Sequence, residues 1–153
     1  MARTDPSIRR GSAWTAEGIE RYLREARIPV RLACLGGDGA PLLCSLWYLY
    51  HDGAIWCATR QDARLIDWLR DDPRCAFEVS GEQPPYRGVR GQGKALLSPG
   101  EGPAVLGQLI DRYLKTRESG FARWLLARQA DEVAIRIQPD WITSWDFTQR
   151  MSR

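Results

Sequence analysis

Residues 36–59 read GGDGAPLLCSLWYLYHDGAIWCAT, and this stretch decides the fold class. Gly36-Gly37-Asp38-Gly39 is a strong hairpin signal, because such residues adopt the tight turns that reverse a strand. Before it, Val30 to Leu35 is an apolar run with one early arginine. After it, Pro41 to Tyr50 predicts a second strand. His51-Asp52-Gly53 is another tight turn, and Ala54 to Thr59 predicts a third strand. Turns this short cannot join parallel strands, so the three form an antiparallel meander.

Reading towards the N-terminus, Thr15 is placed to cap a helix, with Trp14 before it as a hydrophobic staple on Ile19. Ile19, Tyr22, Leu23 and Ala26 share one face of that helix, and Pro29 ends it. Residues 1–12 are polar and basic and predict a disordered tail, leaving 13–153 as one domain. Reading towards the C-terminus, a helix is predicted from about Asp62 to Asp71. A strand follows over Arg74 to Ser80 and another over Tyr86 to Leu97, where Gly88, Gly91 and Gly93 mark bulges or close backbone approach. Two helical segments follow, the first carrying Val105, Leu106, Leu109 and Ile110 and the second Phe121, Trp124, Leu125 and Leu126. Glu132 to Ile137 alternates as a strand, Pro139 interrupts it, and Trp141 to Phe147 is a last strand. The expected fold is mainly β: a six- to seven-stranded antiparallel barrel with flanking helices.

The net charge of +3 resides in the tails, where Arg3, Arg9, Arg10, Arg150 and Arg153 cluster. The body is near neutral, about −1, so a basic nucleic-acid-binding face is not expected. Cys34, Cys44, Cys57 and Cys75 form no C-x-x-C pair and sit in apolar runs, as buried free thiols do. With His51 the only histidine, no metal site is expected, and His51 reads as a turn residue. No signal peptide or membrane span stands out, so a cytoplasmic location is expected.

Four stretches, GGDGAPLLCSLWYLYHDGAIWCAT (36–59), ARLIDWLRDDPRCAFEV (63–79), YRGVRGQGKA (86–95) and IQPDWITSWDF (137–147), occur in an order that resembles the pyridoxamine 5'-phosphate oxidase-like FMN-binding split β-barrels. The resemblance implies a homodimer with the cofactor cleft at the subunit interface and a small-molecule substrate. It implies that the strand at Ser45, Leu46 and Trp47 runs beside a flavin ring. It assigns the phosphate to Thr59, Arg64 and, as a second cation, Arg60; Leu65 stands where the family commonly has lysine. A solvated helix face is the alternative for Arg60 and Arg64. The resemblance also points to Arg90 and Trp145 as flavin contacts, with a surface strand and plain packing as their alternatives. Tyr48 occupies the position of a substrate-binding lysine, and the chain lacks the family's C-terminal Arg-x-His, so vitamin B6 is not the expected substrate. The implied function is an FMN-dependent oxidoreductase, in which the flavin carries the redox chemistry. A deazaflavin-dependent reductase and a non-catalytic flavin or haem carrier, or a degenerate barrel, are the alternatives.

Overall fold

Along the chain, β1 (Ser7–Ile8) is followed by α1 (Ala16–Glu25), β2 (Val30–Leu35), β3 (Pro41–Leu46), β4 (Leu49–His51) and β5 (Ala54–Arg60). Then come α2 (Arg64–Asp71), β6 (Arg74–Ser80), β7 (Arg87–Ser98), α3 (Gly102–Tyr113), α4 (Gly120–Leu126), β8 (Glu132–Asp146) and α5 (Thr148–Met151). The structure is a computed structural model and describes residues 5–153.

Seven strands pair antiparallel in the order β3-β2-β6-β7-β8-β5-β4. The two edge strands, β3 and β4, are consecutive in sequence and joined by Trp47 and Tyr48 alone. A flat sheet of this size would hold its edges about 29 Å apart, at roughly 4.8 Å per strand. The link from Leu46 to Leu49 spans at most about 11 Å. The sheet must therefore curl until its edges nearly meet, which makes it a split barrel.

Inward-facing residues fill the curl. In β2 the alternation is strict, with Val30, Leu32 and Cys34 buried. Phe77 and Val79 of β6, Ile55 and Cys57 of β5, and Ile135, Ile137 and Ile142 of β8 complete the interior. Helix α1 closes it with Ile19 and Leu23, and α2 with Leu65, Ile66 and Leu69. The Thr15 hydroxyl caps α1 by accepting from the Gly18 N–H at 3.3 Å, and Trp14 packs on Tyr22 with ring centroids 5.0 Å apart. In β7, Val89, Gly91, Gly93 and Ala95 are buried while Arg90, Gln92 and Lys94 are exposed, as the alternation predicts. All four cysteines are free; Cys34, Cys57 and Cys75 are buried and Cys44 is half-buried. Burial raises the Cys75 thiol to about 12.

Three expectations are corrected. The stretch Pro41–Tyr50 is two strands, because Trp47 and Tyr48 carry the chain from one sheet edge to the other. Pro139 does not end a strand: β8 runs through it, because the register shifts between Gln92 and Gly93. There Gly93 faces Pro139, and a Cβ on Gly93 would meet the Gln138 carbonyl oxygen at 2.1 Å. The bulge lets the strand bend and removes the need for the missing N–H. Finally, the described part of the expected disordered tail is ordered; residues 1–4 lie outside the described residues. β5 covers β8 only as far as Ile137, so the rest of that edge is open. β1 pairs there in parallel, Ser7 opposite Trp141 and Ile8 opposite Ile142. The Arg9 N–H donates to the Ile142 carbonyl at 2.9 Å, and the Arg9 guanidinium lies 3.8 Å from the Trp141 ring centroid. Covering an open strand edge is a general requirement of sheets.

Arg112 of α3 ties the helices to the barrel seam. Its guanidinium donates to the carbonyls of Arg24 (2.8 Å), Leu23 (3.0 Å) and Ala26, all at the C-terminal end of α1. These are orphan acceptors of a helix end, and a cation suits the local dipole. Replacing Arg112 by Met strips the Ala26 carbonyl of this donor, while the Tyr48 hydroxyl still serves Leu23 and Arg27 still serves Arg24. We expect a loss of about 1–3 kcal/mol, read as a lower urea midpoint with an unchanged slope; Arg112→Lys recovers part of it.

Candidate functional site

Where β3 leaves one sheet edge and β5 ends, α3 and α4 stand off the outer face and leave a cleft of about 330 Å³. The chain forms it for a simple reason. Trp47 turns outward from the seam and stacks on Tyr113 of α3, with centroids 5.1 Å apart and planes 4° from parallel. Phe121 of α4 meets the same indole edge-on at 6.1 Å. These rings hold the helices against the strands but leave the space between them open.

One wall holds Ser45, Leu46 and Trp47, and another Ala58, Thr59 and Arg60. Leu106, Leu109, Phe121 and Leu125 supply the apolar side. Arg128 and Glu132 form the floor. Thus five of the nine predicted residues, Ser45, Leu46, Trp47, Thr59 and Arg60, meet in one place.

The others lie elsewhere. Arg64 is the first residue of α2, exposed and without a hydrogen-bond or ion-pair partner among the described residues, and it does not line the cleft. Arg60 is already engaged: its Nε and an Nη donate to both Asp62 oxygens at 3.0 Å. That pair is largely exposed, with Asp62 at 67%, so it is weak and exchangeable. Leu65 is buried in the barrel core, so the position that would carry the family's lysine faces inward here. Tyr48, expected at a substrate pocket, is corrected: it is fully buried, and its hydroxyl donates to the Leu23 carbonyl at 2.7 Å. The hydroxyl sits far above its ordinary range because burial disfavours the phenolate.

Arg90 and Trp145 keep each other's company, the guanidinium 5.0 Å from the ring centroid. Trp145 lies over Gly88, where an added Cβ would come within 2.8 Å of the indole. Both sit at the far end of β7 and β8, separated from Glu132 by about 40 Å of strand contour. Within one chain they pack together and do not reach the cleft. His51 is at a hairpin tip, bonded to Asp52 at 3.2 Å and stacked on Trp56.

Sequence reading missed the floor. Glu132 is 6% exposed and opens β8 opposite Arg60. Burial raises its carboxyl, and nearby Arg128 and Arg60 partly offset the shift. Its backbone is fixed by α3, since Gly102 packs so closely that a Cβ would come within 1.9 Å of the Glu132 carbonyl oxygen. Arg128 lies flat on Trp124, 4.0 Å from the ring centroid, with its Nε buried and unpaired. A charged residue before an alternating strand carries no signal of its own, so only the approach of α3 and α4 reveals this pair. Among the described residues, no cluster of three His, Cys, Asp or Glu could hold a metal, and no helix is long and apolar enough to cross a membrane.

The Gly102 contact has a measurable consequence. Gly102→Ala forces α3 away from the start of β8 and costs about 1–3 kcal/mol, the usual range for overpacking. A chemical-denaturation curve checks this; stability equal to wild type would mean that α3 can give way freely.

No family model and no curated protein sequence matches the chain. Solved structures do. A conserved hypothetical protein from Mycobacterium tuberculosis is 25% identical with a TM-score of 0.77, over 96% of this chain and 93% of that one. An F420 reductase is 21% identical with a TM-score of 0.66, over 80% and 94%. A Listeria innocua protein named after pyridoxamine 5'-phosphate oxidase is 15% identical with a TM-score of 0.64, over 86% and 97%. The same fold occurs in a FAD-binding protein from Mesorhizobium loti and a haem storage protein from Vibrio cholerae, at 22% and 14% identity. These names are mixed, but the fold they share is one, and this chain has it: a curled antiparallel sheet closed at Trp47 and Tyr48, a split β-barrel.

Proposed function

We propose that the cleft binds a flavin-type cofactor, FMN in the first instance, and that the protein is a flavin-dependent oxidoreductase acting on a small molecule other than vitamin B6. The observation that carries this is the convergence of Ser45–Trp47 with Thr59 and Arg60, from two separate strands, on one aromatic-walled cleft. An aromatic and aliphatic wall suits a planar ring, and a few polar groups orient it. The flavin supplies the electron chemistry when bound; the protein binds, orients and excludes water. The phosphate falls to Arg60, Arg64 and Thr59 at the start of α2. There the backbone N–H groups lack a side-chain cap and favour an anion.

Asp62 competes with a phosphate for Arg60. This gives the test a sign as well as a size. In FMN titrations, Arg64→Ala binds about tenfold to a hundredfold more weakly, from about 1.5–3 kcal/mol for a charge-assisted contact. Asp62→Asn binds several-fold more tightly, in line with about 0.5–1 kcal/mol for an exposed pair. Riboflavin, which lacks the phosphate, responds to neither change. Equal FMN affinities throughout would remove these residues from the site.

A deazaflavin cofactor is the second reading. It is favoured by the inward-facing Leu65, which leaves the FMN phosphate one cation short of the family pattern, and by the F420 reductase among the similar folds. The absorbance spectrum of bound cofactor in freshly purified protein separates the two.

The proposal includes a homodimer whose second copy completes the cleft. The outer face of the sheet carries two adjoining hollows that share Ala33, Ala76 and Gln92, ringed by Arg31, Glu78, Arg90 and Lys94. Leu43, at 68%, and Leu96 stand exposed on that face. Small residues flanked by both charge signs suit a self-complementary contact, and a stable one buries well over about 2,000 Å². Light scattering at micromolar concentration should give twice the chain mass; a monomer would remove the shared cleft.

A further inference from the structure

We infer that the floor of the cleft, Glu132 beside Arg128, recognises an imide or cis-amide edge: a ring N–H next to a carbonyl, with Glu132 accepting from the N–H and Arg128 donating to the carbonyl. This rests on the proposed cleft and deepens it by stating which ligand edge faces the floor.

Two polar side chains on the floor lack a protein partner among the described residues. Glu132 is 6% exposed and lines the cleft. Among the described residues its carboxylate has no hydrogen bond and no ion pair. Arg128 lines the same floor, and none of its side-chain donors has a protein acceptor among the described residues; its Nε is fully covered. Buried polar atoms are ordinarily satisfied, and the covered Arg128 Nε is an exception that needs a reason. The two are near enough for Arg128 to act on the Glu132 carboxyl through space, yet they do not join. Stacking on Trp124 holds the guanidinium where it is, and the Gly102 contact holds the backbone of Glu132. The floor is therefore a fixed acceptor and a fixed donor, each without a partner.

Charge narrows the ligand. A cation would pair with Glu132 but face Arg128. An anion would pair with Arg128 but face the carboxylate, while Arg60 is held by Asp62. A neutral edge with donor and acceptor side by side satisfies both without adding charge. Trp47 and Phe121 on the walls ask for that edge to belong to a planar ring. Isoalloxazine and deazaflavin rings both carry such an edge in their pyrimidinedione portion.

The test uses probes without a phosphate. Lumiflavin and its N3-methyl derivative are titrated into wild type, Glu132→Ala and Glu132→Gln, with melting curves to confirm that each variant is folded. Wild type should bind lumiflavin about tenfold more tightly than the methylated ring, the worth of one charge-assisted contact. Glu132→Ala should bind both equally. Glu132→Gln, which keeps an acceptor oxygen and the shape, should retain part of the preference. FMN, and uracil against 1,3-dimethyluracil, are run alongside. FMN binding with no N3 preference overturns this inference and leaves the flavin reading standing. A Glu132-dependent preference for uracil without FMN binding does the reverse. Binding of neither flavins nor uracil overturns both.

Discussion

Two residues set the whole architecture. Trp47 and Tyr48 must bridge the two edges of a seven-strand sheet, and a bridge that short allows only a curled sheet. Everything around them secures that turn. The Tyr48 hydroxyl is held by the Leu23 carbonyl, and its N–H donates to the Tyr113 hydroxyl at 3.3 Å. Tyr113 in turn donates to the Ile28 carbonyl at 2.9 Å. Arg112 lies 5.0 Å from the Tyr48 ring centroid and reaches past it to the end of α1. The seam is thus pinned from both sides, by α1 within and α3 without. A buried Tyr with a satisfied hydroxyl gives rigidity that an apolar residue of the same size would not.

The same constraint makes the cleft. In the link between β3 and β4, Tyr48 is buried in the barrel while its neighbour Trp47 turns outward onto Tyr113. Trp47 then becomes the surface on which α3 and α4 are laid. Its stacking on Tyr113 and its edge contact with Phe121 set the height of those helices above β5. Closure of the barrel and formation of a ring-shaped slot beside it are therefore one event. This explains why the predicted residues of β3 and β5 meet in space although a dozen positions separate Leu46 from Thr59.

Local chemistry was readable wherever local chemistry decided the outcome. The strand Arg74–Ser80, the faces of β7, the Thr15 cap and the turn at Asp52-Gly53 all follow from neighbouring residues. The misses share one cause, a partner far along the chain. Pro139 stays in a strand because of Gly93, and residues 7–8 are ordered by the uncovered edge at Trp141 and Ile142. Tyr48 looked like a pocket residue by family position, but its hydroxyl finds Leu23. In the site, the strand residues were legible because a resemblance located them. Glu132 and Arg128 were not, because their role depends on how closely α3 approaches at Gly102 and on how α4 places Trp124.

Leu65 shows how such a site changes its balance. A lysine at this position would have to carry its charge out of a core that Leu65, Ile66 and Leu69 fill together. Leucine removes that conflict and adds apolar burial, so the exchange favours the barrel. The cation it forgoes is left to Arg60, which Asp62 already holds, and to Arg64, which stands beyond the cleft wall. On the flavin reading proposed above, grip on an anionic tail is weakened by the same step that strengthens the core. What remains undiminished is the wall across the ladder from Arg60, where Glu132 and Arg128 line the cleft beside the aromatic rings, without a protein partner among the described residues. On the proposed reading, the ring edge then takes up a share of the recognition that the phosphate contacts give up.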